Sequence, residues 1–129
     1  MKNLLIVTAA IETGAGVVLL MAPSLMVRLL VGVPFDAPGG LAVTRVVGAL
    51  LLVLGVACWY AGRDERSRTA RGIVTAMLFY HFMTVVVIAF AGLAHGLSGA
   101  GLTPVSVLHA ALAGWCIACL RPMNPSRLP

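Results

Sequence analysis

The chain has 129 residues, of which 60% are hydrophobic and 10% charged, with a formal net charge of +5. Soluble domains carry roughly 25% charged residues, so this chain lacks the polar side chains to cover itself in water. It reads as one compact membrane domain, and its basic excess, without a basic and aromatic reading surface, does not call for nucleic acid as a partner.

Four long apolar stretches run over about 3–22, 41–61, 72–94 and 102–120. Each is near the ~20 residues needed to cross ~30 Å of hydrocarbon at 1.5 Å per residue. The runs are continuous rather than alternating, and the chain is too short for eight barrel strands with their turns. The expected fold is all-α: an integral membrane four-helix bundle over 1–120, with a short cytoplasmic tail over 121–129. Helices satisfy every backbone group within the segment, as hydrocarbon requires.

The first span follows Lys2 and resembles a signal peptide in outline. Cleavage is not expected, because Glu12 interrupts the apolar core and Pro23 follows directly on Ala22. The stretch 23–32 starts with proline, ends in glycine and carries one arginine, which suits a short helix in the outer interface or a kinked extension of the first span. Two prolines and a Gly-Gly pair make 33–40 a turn-rich loop. The second span ends near Trp59 and Tyr60, an aromatic pair at interface depth. The charged stretch 63–71 reads as a solvated turn that can meet anionic lipid headgroups. Thr103 and Pro104 open the fourth span, where proline is tolerated.

Basic residues orient the bundle. Lys2, Arg63, Arg66, Arg68, Arg71, Arg121 and Arg127 fall on one side of a four-helix path, and Arg28 on the other. The positive-inside rule then places both termini in the cytoplasm.

Each span carries one ionisable residue: Glu12, Arg45, His81 and His109. Such groups are costly in a bilayer and mark candidate sites. Helical spacing puts each on a small or polar face. The second span aligns Arg45 with Gly48, Gly55, Cys58 and Gly62, and the fourth aligns His109 with Ser106, Ala113 and Cys116. The first aligns Glu12 with Thr8 and Gly16, and the third aligns His81 with Met77 and Thr84, with Tyr80 adjacent. A second ridge of small residues, Ala110, Gly114 and Ala118, suits contacts inside the bundle or between chains.

Counting 1.5 Å per residue from the outer helix ends gives depths of ~15 Å for Glu12, ~6 Å for Arg45, ~20 Å for His81 and ~10 Å for His109. A Glu12–Arg45 ion pair is within reach, and pairing offsets the cost of burying each charge. The ~10 Å offset between the histidines counts against a bis-His haem. A metal site of two histidines and Glu12 is chemically sensible, but no metal is assigned. The plain reading of the histidines is hydrogen bonding within the bundle.

The segment WCIAC (115–119) resembles the CxxC of the vitamin K epoxide reductase-like oxidoreductases over those residues alone. Here the pair falls at the cytoplasmic end, with no outer-loop cysteines to exchange electrons with, so Cys116 and Cys119 read as packing residues. Across the whole chain, an acidic residue in the first span, RVVG (45–48) opening the second, YH (80–81) and His109 resemble the DoxX-like group of small bacterial membrane proteins. That group includes subunits linked to quinone-dependent sulfur oxidation. The resemblance implies a four-helix bundle in the bacterial inner membrane, with a quinone or another lipophile as ligand, and it transfers no catalytic residue.

The expected function is binding of a lipophilic small molecule, quinone or lipid-like, in a polar pocket in the outer half of the bundle. Glu12, Arg45, Tyr80, His81, Thr84 and His109 would line it. One alternative is a membrane oxidoreductase subunit or isomerase using Glu12, His81 and His109 for proton transfer or for metal or haem ligation. Another is a structural subunit, as a homo-oligomer or within a larger membrane complex, in contact with membrane lipids.

Overall fold

The computed structural model describes residues 1–33 and 37–121. These form five α-helices: α1 Lys2–Met21, α2 Pro23–Val31, α3 Pro38–Arg63, α4 Arg68–His95 and α5 Leu102–Leu120. The expected tail lies outside the described residues from 122 onward. Four helices, all but α2, are long and apolar enough to cross a membrane. Large apolar side chains also cover the outside: Val53, Phe79, Val87 and Phe90 are more than half exposed, and Leu93 is 89% exposed. A surface of this kind suits lipid rather than water.

Two helices extend beyond the apolar runs that announced them. Pro38, Gly39 and Gly40, expected in a turn, form the start of α3. Proline fits a first helical turn because its missing N–H has no partner there. The third span begins four residues before its expected start. Ser67 caps α4, its Oγ accepting from the Ala70 N–H at 3.0 Å, so Arg68 and Arg71 belong to the helix and the charged turn shrinks to Asp64–Ser67. At its other end, α4 closes on Gly96 with φ 65°. The Gly96 N–H donates to Gly92 and the Leu97 N–H to Ala91, a closure through the left-handed conformation that glycine adopts without strain.

The helices pack as two antiparallel pairs, α1 with α3 and α4 with α5, whose backbones approach each other less closely between pairs. Glycine sets the first pair. A Cβ on Gly16 would sit 2.7 Å from the Gly48 carbonyl oxygen, and one on Gly48 would sit 2.9 Å from the Gly16 oxygen. Gly55 meets Thr13 and Ala9 in the same way. The stripe Gly48, Gly55 and Gly62 is therefore internal packing. The other ridge, Ala110, Gly114 and Ala118, faces outward, with open space where a Gly114 Cβ would stand.

Between the pairs the interior is layered along the bundle axis. At the end bearing Met1, the Asp64–Ser67 turn and Arg121, the core is apolar, built from Leu4, Leu5, Cys58, Val74, Met77 and Cys116. There the N-terminal ammonium pairs with Glu65 at 3.7 Å, and the Lys2 N–H donates to the same carboxylate. One turn further along come the buried polar residues Thr8, Glu12, His81 and His109. Beyond them the pairs enclose a cavity that α2 covers from the opposite end, through Met26 and Leu30. The α4–α5 connection holds α2 in place: the Gly101 N–H donates to the Leu29 carbonyl at 2.8 Å, and Gly99 lies against the same turn too tightly to admit a side chain.

Candidate functional site

The sequence picks out Glu12, Arg45, Tyr80, His81, Thr84 and His109. The structure brings five of them together and separates the sixth. Glu12 comes from α1, Tyr80, His81 and Thr84 from α4, and His109 from α5. The Tyr80 hydroxyl donates to Glu12 Oε2 at 3.0 Å. His81 and His109 face each other with their Nδ1 atoms 2.8 Å apart, one donating and the other accepting. The Tyr80 ring packs edge-on against His109, centroids 5.5 Å apart, and tilted against His81 at 5.1 Å. Thr84 sits one turn above Tyr80, its hydroxyl donating to the Tyr80 carbonyl.

Arg45 lies elsewhere. It is exposed, and its Nε donates to the Leu20 carbonyl at 3.3 Å. Leu20 is in the last turn of α1, where carbonyls have no partner within the helix and the helix dipole is negative. A cation on the facing helix is drawn to that end. Glu12 lies eight residues earlier, ~12 Å along the axis, and is 1% exposed. The expected ion pair is replaced by two separate interactions: a helix-end contact for Arg45 and a tyrosine for Glu12.

The histidines also depart from the expected depths. Counting from helix ends assumes that the ends of α4 and α5 are level, and they are not. Leu102 packs beside Gly92, three residues short of the α4 terminus. On that register His109 lies only about one turn, ~6 Å, from the level of His81, which two imidazoles span. Their direct contact leaves no room for a macrocycle between them. A bis-His haem would hold the two nitrogens on opposite sides of iron, near twice a bond length of ~2 Å.

Three buried polar atoms have no hydrogen-bond partner among the described residues: Thr8 Oγ1, Glu12 Oε1 and His81 Nε2. Buried polar atoms are normally satisfied, so unpartnered ones call for an explanation. All three belong to this one layer. Glu12, His81 and His109 also bring their ligand-capable atoms within 4.8 Å of one another.

The adjoining cavity has a volume of about 380 Å³. Its polar end is formed by Glu12, Tyr80, Thr84 and His109, and its apolar wall includes Ile11, Ala15, Leu51, Ile88 and Val105. Val47 and Leu108 at its rim are 42% and 38% exposed, so the space communicates with the apolar exterior. Met26 and Leu30 of α2 were not anticipated in the lining. The only sequence sign of them is the apolar character of 23–32. Cys58 and Cys116 are buried thiols in the apolar layer, and Cys119 is half-buried; all three are free.

A mostly apolar chamber ending in a few converging polar groups is the usual build of a small-molecule site. The chain was compared with protein families, with curated proteins and with solved structures, and none of them matches it.

Proposed function

We propose that this is a multi-pass protein of the bacterial inner membrane that binds a lipophilic small molecule, of quinone type, with both termini in the cytoplasm. The observation that carries this reading is the cavity of about 380 Å³ whose apolar walls end on Glu12, Tyr80, Thr84 and His109. That volume is near the lower end of the ~300–1,000 Å³ range of ligand pockets. It suits a ring-sized head group, with any tail leaving past Val47 and Leu108 toward lipid. A carbonyl or hydroxyl oxygen of the ring would meet the polar end, while the walls exclude water.

Basic side chains support the orientation. Lys2, Arg66, Arg71 and Arg121 gather at the end that holds the apolar core, and Arg28 and Arg45 are at the end that holds the cavity. By the positive-inside rule the cavity then lies in the outer half of the membrane. Native mass spectrometry of protein released from its own membrane tests the binding reading. One lipophile of quinone mass per chain is expected, and a chain that emerges bare under conditions that preserve annular lipid would refute it.

A second reading, catalysis of proton transfer at the bound molecule, draws on the linked pairs Tyr80–Glu12 and His81–His109 beside the cavity. All four groups carry exchangeable protons or accept them, as acid–base chemistry requires. On this reading Glu12→Gln retains the ligand and loses turnover of it.

A further inference from the structure

We propose that Glu12, His81 and His109 bind one divalent first-row transition-metal ion in six-coordinate geometry, with its open positions facing the cavity. This site goes beyond lipophile binding and stands independently of it. The three residues are buried, come from three different helices, and bring their ligand atoms within 4.8 Å of one another.

The nitrogen spacing fits neighbouring ligand positions once the shared Nδ1 proton moves to the Nε2 of the donating ring, which frees both Nδ1 lone pairs. Two nitrogens 2.8 Å apart, each ~2.1 Å from a shared ion, subtend roughly 85° at it. That is close to the right angle between neighbouring ligands of an octahedron and well short of the ~109° of tetrahedral zinc. Two histidines and one carboxylate with free positions form the facial arrangement suited to Fe(II) and its neighbours.

The carboxylate is prepared for the same role. One Glu12 oxygen accepts from Tyr80 and the other is buried with no partner. A ligand oriented by a hydrogen bond on its second atom is the common build around protein-bound metals. With Arg45 committed to the end of α1, a bound cation would also supply the counter-charge that Glu12 lacks. The histidine pair alone accounts for the Nδ1 contact, but it leaves that carboxylate oxygen idle. Glu12 and His109 both line the cavity, so the remaining positions are open to water or to an oxygen of the cavity's occupant.

The test uses the full chain in detergent, stripped with chelator and titrated with Co(II) alone. The expected result is one Co(II) per chain with the weak visible bands of a six-coordinate ion. Glu12→Gln and His109→Gln should each weaken binding by ~100-fold, and Tyr80→Phe by ~10-fold. His95→Ala, at the exposed third histidine, should change nothing. Should a variant fail to fold, histidine-labelled wild type gives the answer: Co(II) should shift the ring signals of His81 and His109 and leave those of His95 in place. Absence of stoichiometric Co(II), loss of binding in His95→Ala, or the intense bands of a tetrahedral ion would overturn the proposal. Ala15→Phe, which fills the cavity wall, should expel the lipophile and keep Co(II). Metal failure and lipophile failure can thus be told apart.

Discussion

Glu12 and Arg45 show how a charged residue in a hydrophobic span can mean two things. Both stand on small-residue faces, and the face alone suggests a pair. What separates them is position along the axis: Arg45 sits opposite the α1 C-terminus, where a free carbonyl and the helix dipole attract a cation. Arg45→Gln should therefore lower stability by about 0.3–1 kcal/mol and leave lipophile retention within twofold of wild type, read by thermal unfolding in detergent and by native mass spectrometry. An Arg45→Gln protein that folds normally but has lost its ligand would return Arg45 to the site. The five residues that do converge were legible because polar and ionisable groups are scarce in these apolar spans and fall on their small or polar faces. Their partners were not, because helical spacing fixes direction around the axis and leaves the offset between helices free.

At the scale of elements, that offset is decided by contacts the pattern of apolar residues does not display. Leu102 lies beside Gly92 in the α4–α5 register, and this register brings His81 to His109. The α1–α3 register comes from Gly16, Gly48 and Gly55, whose missing side chains let the backbones touch. Gly55→Val would drive a branched side chain into Thr13 and Ala9, and should destabilise the protein by about 1–3 kcal/mol. Gly114→Ala, into open space in mid-helix, should stabilise the protein by about 0.4–1 kcal/mol. Equal unfolding midpoints for the two variants would contradict the assignment of the first stripe to internal packing. The four long helices were readable from apolar length alone. The early starts of α3 and α4 were not, since proline at a first turn and a serine cap lie outside the apolar runs.

For the whole molecule, the layering carries the functional account: an apolar core, a polar layer, a cavity, and α2 across the top. Sequence legibility stops at the cavity, because its volume depends on how far the two helix pairs stand apart. Orientation is checked by labelling. A cysteine at Arg66, introduced into a chain whose native cysteines are replaced by alanine, should react with an impermeant thiol reagent only from the cytoplasmic side. One at Ser98, in the α4–α5 connection, should react only from outside, and the reverse pattern would invert the bundle. The most direct test of the central claim is to fill the cavity without touching its polar end. A short-chain quinone titrated against nanodisc-embedded protein should bind wild type at one per chain and bind folded Ala15→Phe at least ~10-fold more weakly, the penalty of overpacking a fitted site by about 1.4 kcal/mol or more. Equal binding to both proteins would show that the molecule is held somewhere other than this cavity.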